Sequence, residues 1–152
     1  MIAWRITKTI YLDTALSGQG AKQAPGRWNN AGRPVVYLAA TPSQAILELL
    51  VHHVSHAFLQ RHYSFLRVEF PEALVRPVDT SPLPPEWHKT YHPIPRQIGD
   101  QWLQGLESVV LEVPSAVTLL ESNYLLNPLH PDFPEIAISE PIPVRFDPRL
   151  AK

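Results

Sequence analysis

A short apolar run that leads directly into a helix start constrains the fold of this chain most strongly. Val35–Ala40 is rich in β-branched and aliphatic residues, which is typical of a strand inside a sheet. The next four residues, Thr41–Gln44 (TPSQ), supply an N-cap, a proline at the first helical position and a glutamine three residues after the cap. The sequence therefore predicts a strand followed at once by a helix, which we expect to extend to about Phe58.

Three polar residues lie on consecutive elements around this strand. Arg27 lies in the preceding basic loop, Tyr37 in the strand and Glu48 in the helix. A guanidinium binds phosphate through two donors, and a tyrosine offers a ring face and a hydroxyl. A glutamate accepts hydrogen bonds from ribose or stabilises a cationic anomeric carbon. We expect the three to share one nucleotide-sized cleft, although a surface arginine, a core tyrosine and a solvated glutamate are the ordinary alternatives.

The remaining pattern predicts an α+β domain with a mixed or antiparallel sheet, because strands are expected at both ends with helices between them. We expect a single domain over residues 1–152.

Arg5, in the first strand, is either a ligand contact or an edge-strand charge. Residues 71–95 contain seven prolines and form either an ordered flap over a site or a plain connection. The other predicted elements are strands at Ile2–Ile6, Tyr63–Phe70, Ser108–Val113, Ile136–Ile138 and Val144–Phe146, a helix at Arg96–Leu106 with Trp102 inward, and a loop at Glu121–Pro128.

Composition excludes several functions. With 13 basic and 14 acidic residues the net charge is −1, so we expect no direct contact with nucleic acid. The absence of cysteine and of a signal sequence favours the cytoplasm, and no apolar run approaches the ~20 residues that span a membrane. No nucleophile elbow or Walker loop is present. Four clustered histidines lack a third ligand at a telling spacing, so we expect no metal; they are His52, His53, His56 and His62.

Several separated motifs, in one order, resemble the RES family, which is named for an arginine, a glutamate and a serine. The matching segments are GRWN at 26–29, VPSA at 113–116, NYLLNPLHPDF at 123–133, IGDQWL at 98–103 and FDPRL at 146–150. Carried over by position, the family residues are Arg27, Glu48 and Ser115, with Tyr37 at the aromatic position between the first two. The VPSA context selects Ser115 rather than the nearby Ser122.

The resemblance implies a toxin of a toxin–antitoxin pair with an ADP-ribosyltransferase-like fold. It implies NAD as the substrate, cleaved between nicotinamide and ribose with water or phosphate as the acceptor, and a helix-turn-helix antitoxin of the Xre type as partner. Two alternatives stay open: a protein mono-ADP-ribosyltransferase, and an inactive module that binds a nucleotide or an antitoxin. Whether the chain forms a homo-oligomer is left open. The candidate catalytic residues are Arg27, Tyr37, Glu48 and Ser115, and the candidate NAD contacts are Arg5, Arg27, Trp28, Tyr37, Glu48, Ser115 and Asn123.

Overall fold

The computed structural model describes residues 1–52, 61–89 and 91–150. Within these ranges eight strands form one sheet, accompanied by three α-helices and four short 3₁₀ segments. The strands are β1 (Ile2–Lys8), β2 (Val36–Ala39), β3 (Tyr63–Glu69), β4 (Val75–Pro77), β5 (Val110–Pro114), β6 (Ser122–Leu126), β7 (Ala137–Ile138) and β8 (Ile142–Pro143), and the helices are α1 (Gln19–Gln23), α2 (Pro42–His52) and α3 (Pro93–Gly105).

The sheet is mixed, which confirms the predicted α+β class. Its strand order is β4-β5-β6-β2-β1-β3-β7, and β8 also pairs with β3. All neighbours are antiparallel except β4 and β5. The register places Tyr37 of β2 opposite Leu125 of β6, and Ala39 opposite Asn123. The strands that carry the candidate site residues are therefore adjacent in the centre of the sheet.

Successive side chains along a strand point to opposite faces of the sheet, and each face carries an apolar cluster. In β6, Tyr124 and Leu126 join one cluster, whereas Leu125 joins the other. Helix α3 packs on the second cluster through Trp102, which is 4% exposed and donates from Nε1 to Oγ of Ser108 at 2.9 Å. The inward placement of Trp102 is thus confirmed, although α3 begins at Pro93 rather than Arg96.

Two segments near the carboxyl end differ from the sequence prediction. Glu121–Pro128 was expected to be a loop, but most of it is β6, a central strand between β5 and β2. Its polar first residues suggested a turn, whereas pairing on both sides and buried neighbours make it a strand. The predicted strand at Val144–Phe146 is also wrong, because the last strand is β8 at Ile142–Pro143.

Helix α2 follows β2 as predicted, and its most buried residues lie in its first turn. Its start is confirmed: the backbone N–H of Gln44 donates to Oγ1 of Thr41 at 3.1 Å. The expected inward residues Ile46, Leu49 and Leu50 are only half-buried, whereas Gln44 and Ala45 are buried. The predicted continuation to Phe58, with His53, Val54 and Ala57 on the stripe, lies outside the described residues.

Candidate functional site

A cleft of about 670 Å³ opens beside α2, a volume within the range of small-molecule sites. Its walls come from β1, β2, α2, the loop before β2, the strands β5 and β6, and the residues His88, Lys89 and Tyr91. Ser115 is fully buried behind it and contacts Glu48. The structure therefore brings the predicted residues together, six of them in the cleft lining: Arg5, Arg27, Trp28, Tyr37, Glu48 and Asn123.

Glu48 is held by two side chains from the opposite wall. Oγ of Ser115 donates to Oε1 of Glu48 at 2.9 Å, and Nδ2 of Asn123 donates to the same oxygen at 2.7 Å. Within the described residues, Oε2 of Glu48 accepts no hydrogen bond. The carboxylate is therefore fixed through one oxygen and offers the other to a ligand in the cleft.

Tyr37 uses its hydroxyl for the protein rather than for a ligand. The hydroxyl donates to Oδ1 of Asn29 at 2.8 Å and accepts from the backbone N–H of Trp28 at 3.0 Å. Burial raises the pKa of Tyr37 well above its ordinary value, so the phenol stays neutral. The hydroxyl, which we expected to be free for a ribose, thus holds the loop that carries Arg27 in place. The ring of Tyr37 still lines the cleft.

Arg27 lies among aromatic residues of the proline-rich segment. Its NH1 donates to the backbone oxygen of Trp87 at 2.8 Å, and its guanidinium lies 5.7 Å from the Trp87 ring and 5.9 Å from the Tyr91 ring. Burial lowers the pKa of Arg27, and the nearby Tyr91, Glu48 and Tyr37 oppose that shift. The segment 71–95 therefore helps to build the cleft.

Trp28, expected to contact a ligand, is mainly a core residue. It is 3% exposed, and its ring centroid lies 5.7 Å from that of Trp87. It belongs to the same apolar cluster as Trp102. Its position fixes the direction of the neighbouring Arg27.

Arg5 projects from β1 into the cleft with few protein partners. NH1 donates to the backbone oxygen of Tyr37 at 3.3 Å, and the buried Nε has no hydrogen-bond partner. Among the described residues, no carboxylate forms an ion pair with Arg5. Burial lowers its pKa from the ordinary arginine value. A half-buried guanidinium that lines the cleft without an ion-pair partner among the described residues is suited to an anionic group of a ligand.

No cluster of three or more histidine, aspartate or glutamate side chains is placed to hold a metal ion in the described part of the chain. His52 and His62 are exposed, and His53 and His56 lie outside the described residues. Among the helices that the structure describes, none has the length and apolar character to cross a membrane.

Two functional positions were missed by sequence reasoning. Asn29 orients the hydroxyl of Tyr37, and its Nδ2 also donates to the backbone oxygen of Ala21 at 2.8 Å. Gln44 was predicted only as part of the helix start, but its Nε2 donates to Oδ1 of Asn123 at 2.9 Å. Neither position carried a local signal, because the partners that define each role become neighbours only in the fold.

The fold and the cleft define a class: a small α+β domain in which a hydrogen-bonded glutamate and two arginines surround a nucleotide-sized cavity. Residues 2–147 match the RES domain family model. A protein named Toxin Res from Photorhabdus laumondii is 40% identical over 137 residues, covering 88% of this chain and 85% of that protein. A second Toxin Res, from Yersinia enterocolitica, is 34% identical and covers 99% of both chains. This chain therefore belongs to the RES domain family of toxins.

Two further likenesses extend the comparison. A Sphingobium protein named Prs ADP-ribosylating toxin is 33% identical over 157 residues, covering 98% of this chain and 96% of that protein. The crystal structure of the M. tuberculosis MbcT–MbcA toxin–antitoxin complex contains a chain that superposes with a TM-score of 0.75 at 18% identity, covering 98% of this chain and 85% of that one. This second likeness shows that the two chains share one fold.

Proposed function

We propose that this chain is the toxin of a toxin–antitoxin pair and that it degrades NAD by cleaving the bond between nicotinamide and ribose. The arrangement of Glu48 carries the proposal: Glu48 lines the cleft, Ser115 and Asn123 both bind Oε1, and Oε2 has no protein partner in the described residues. A carboxylate fixed in this way can hold a ribose hydroxyl and stabilise positive charge on the neighbouring anomeric carbon.

The chemistry needs little acid catalysis. The nicotinamide of NAD is a cationic pyridinium, so it leaves as a neutral molecule when its nitrogen takes the electron pair of the glycosidic bond. The ribose carbon becomes an oxocarbenium-like cation, which Glu48 stabilises. Water or phosphate then forms a new bond from oxygen to this carbon, and an attacking water loses one proton to solvent and keeps the other in the new hydroxyl. Glu48 therefore acts on charge that develops only in the transition state.

Both arginines bind the anionic part of the substrate, each at a different place. Arg5, which lines the cleft and has no ion-pair partner among the described residues, contacts the pyrophosphate. Arg27, held at the entrance by Trp87 and Tyr91, contacts the pyrophosphate or the adjoining ribose. The ring of Tyr37 packs against the nicotinamide ribose, while its hydroxyl keeps the Arg27 loop in place.

An enzyme that consumes a central cofactor needs an inhibitor in the same compartment. We propose a helix-turn-helix antitoxin of the Xre type as the partner, acting with this chain in the cytoplasm. The crystal structure that this chain superposes on is a toxin–antitoxin complex, which supports an antitoxin as the partner. The near-neutral net charge of −1 agrees with DNA contacts made by the antitoxin rather than by this chain.

The identity of the products tests the proposal. Purified chain is incubated with adenine-labelled NAD, with and without phosphate, and the products are resolved by mass spectrometry. We expect nicotinamide with ADP-ribose, or with its 1″-phosphate when phosphate is the acceptor. Glu140→Ala, which changes an exposed glutamate, is the control and should give the same products as the wild type. Intact NAD in all wild-type reactions would refute the proposal.

Transfer of ADP-ribose to a protein is the second candidate. It is favoured by the 33% identity to the Sphingobium protein named Prs ADP-ribosylating toxin. Transfer uses the same cleavage step, but a protein side chain takes the place of water. Adding a cell extract to the labelled reaction separates the two candidates. Label fixed on a protein supports transfer, whereas label recovered only as free ADP-ribose or its phosphate supports degradation.

A further inference from the structure

We propose that Gln44 is a positioning residue that sets the side-chain orientation of Asn123 and, through it, the carboxylate of Glu48. This inference rests on the proposed function, in which Glu48 faces the substrate. Gln44 lies in the first turn of α2, is 3% exposed and does not belong to the described lining of the cleft. Its influence on the reaction must therefore pass through another residue.

Two backbone groups fix the direction of the Gln44 amide. The N–H of Ala40 can only donate, so the atom that lies 3.1 Å from it is the carbonyl oxygen Oε1. The backbone oxygen of Ser122 can only accept, so the atom 3.2 Å from it is Nε2. A flipped amide would place donor against donor and acceptor against acceptor. The main chain therefore determines which atom Gln44 presents to Asn123.

The orientation of the Gln44 amide determines that of the Asn123 amide, which in turn holds the carboxylate of Glu48. Nε2 of Gln44 donates to Oδ1 of Asn123 at 2.9 Å, which leaves Nδ2 of Asn123 on the opposite side. That nitrogen donates to Oε1 of Glu48 at 2.7 Å. A flipped Asn123 would bring its oxygen against the carboxylate, which has no hydrogen to donate when ionised. Only one orientation satisfies every group in the chain.

Ser115 holds Glu48 independently of Gln44, and backbone groups again fix the direction of the hydrogen bond. Oγ of Ser115 accepts from the backbone N–H groups of Val117 and Thr118 at 3.2 and 3.3 Å. Its hydroxyl hydrogen is therefore directed to Oε1 of Glu48. Because this second support does not involve Gln44, removal of Gln44 should weaken the position of Glu48 without abolishing it.

Gln44→Met removes the amide at nearly constant volume and is the main test. We expect kcat for NAD cleavage to fall about tenfold with little change in KM, the effect of losing a group that orients a catalytic side chain. Asn123→Ala should give a similar loss, and the double variant should lose no more than Asn123→Ala alone, because Gln44 acts through Asn123. Gln101→Met makes the same replacement at an exposed position of α3 and should leave kcat unchanged.

Gln44→Glu distinguishes orientation from simple packing. A carboxylate at this position can only accept, so it draws Nδ2 of Asn123 toward itself and turns Oδ1 toward Glu48. We therefore expect a larger kcat loss than in Gln44→Met, although glutamate is closer to glutamine in shape. A purely structural role predicts the reverse order. Gln44→Leu replaces Gln44→Met if circular dichroism shows that the methionine variant is unfolded.

Hydrogen exchange of the Asn123 side-chain amide, followed by NMR, adds a readout that needs no activity. Loss of Gln44 should accelerate this exchange. Additive kcat losses, or unchanged kcat together with unchanged exchange, would overturn the inference while leaving NAD cleavage by the wild type in place. If the wild type leaves NAD intact, the proposed function fails, and the exchange of Asn123 still decides whether Gln44 orients it.

Discussion

At the scale of single residues, Tyr37 shows how one hydroxyl connects the sheet to the loop that carries Arg27. Its oxygen lies between the backbone N–H of Trp28 and Oδ1 of Asn29. The loop passes so close that a Cβ on Gly26 would lie 2.6 Å from the same hydroxyl. The position of Arg27, between Gly26 and Trp28, therefore depends on a tyrosine that is ten residues away in the sequence.

Tyr37→Phe should destabilise the fold. Without the hydroxyl, the N–H of Trp28 loses its partner in a partly buried place, which costs about 1–3 kcal/mol for an unsatisfied group, whereas Oδ1 of Asn29 keeps the N–H of Gly26 as a donor. Urea denaturation measures the free energy of unfolding. Tyr11→Phe is the matched control, because Tyr11 is 53% exposed, and it should change stability by less than about 0.5 kcal/mol. Equal stabilities of the two variants would contradict the bracing role.

Buried tyrosines should also make the stability depend on pH in the alkaline range. Burial raises the pKa of Tyr37 above the ordinary value of about 10, and it raises that of Tyr63 and Tyr124 in the same direction. Below about pH 10 the contribution of these tyrosines to the free energy of unfolding is fully present, and it is lost as the pH rises through their pKa values in the folded state. Unfolding free energies measured from pH 8 to 11 should fall less steeply for Tyr37→Phe than for the wild type. Parallel curves would show that Tyr37 titrates normally.

The sequence predicted the two charged residues of the cleft better than the amides around them. Arg27 and Glu48 line one cleft, as expected, because strand, loop and helix follow one another with little freedom. Asn29 was not singled out, since an asparagine in a turn ordinarily bonds its own backbone. Gln44 was explained locally as a helix-start residue, and its second partner, Asn123, lies 79 positions along the chain. Contacts at that separation have no local signal.

At the scale of elements, α3 supports the loop that carries Arg27. Asp100 accepts from the backbone N–H and from Nδ2 of Asn30 at 3.1 and 2.8 Å. Nε of Arg96 donates to the backbone oxygen of Gly26 at 3.2 Å. The helix approaches so closely at Gly99 that an added Cβ would lie 1.7 Å from the backbone oxygen of Trp28. The loop therefore has its shape because glycine occupies that one helical position.

Gly99→Ala should separate α3 from the loop. The new methyl group would overlap backbone, which cannot rotate away, so we expect a stability loss of about 1–3 kcal/mol and a slower NAD reaction. Gly20→Ala, in α1, is the control: nothing lies within 4 Å of its Cβ position, and alanine is preferred in helices by about 0.5–1 kcal/mol. Thermal melting of both variants provides the measurement. A stable and fully active Gly99→Ala protein would contradict the supporting role.

Strands were harder to predict where tertiary pairing outweighs local preference. β6 begins with Ser122 and Asn123, whose polar side chains favour turns in isolation, yet the strand is paired on both sides. β4 lies inside the proline-rich segment and was not predicted. It is the outermost strand next to β5, where the missing N–H of Pro77 is tolerated.

At the scale of the whole molecule, a near-neutral chain concentrates cationic groups in one cleft. The net charge is −1, whereas Arg5 and Arg27 both line the cavity. Burial lowers the pKa of both, which means that the protein holds them at an energetic cost. Such a cost is expected where charge serves binding of an anion rather than stability of the fold.

Arg5→Met should weaken the binding of NAD without reducing the stability of the fold. The methionine keeps much of the volume and removes a buried charge that has no ion-pair partner among the described residues, so stability should stay equal or rise. The KM for NAD should increase about 10- to 150-fold, the loss of one charge-assisted hydrogen bond. Arg145→Met, at an exposed position, should change neither quantity. A marked loss of stability with an unchanged KM would assign Arg5 to the fold instead.

The most direct test of the central claim is the rate of NAD consumption by the wild type and by Glu48→Gln, followed by NMR of the released nicotinamide. Glutamine keeps the size of Glu48 and retains an oxygen for Ser115 and Asn123, so the fold should be preserved. Without the negative charge, we expect a rate about 30- to 1,000-fold lower, corresponding to roughly 2–4 kcal/mol of transition-state stabilisation. A Glu48→Gln protein that consumes NAD at the wild-type rate would show that Glu48 is not the group that stabilises the ribosyl cation.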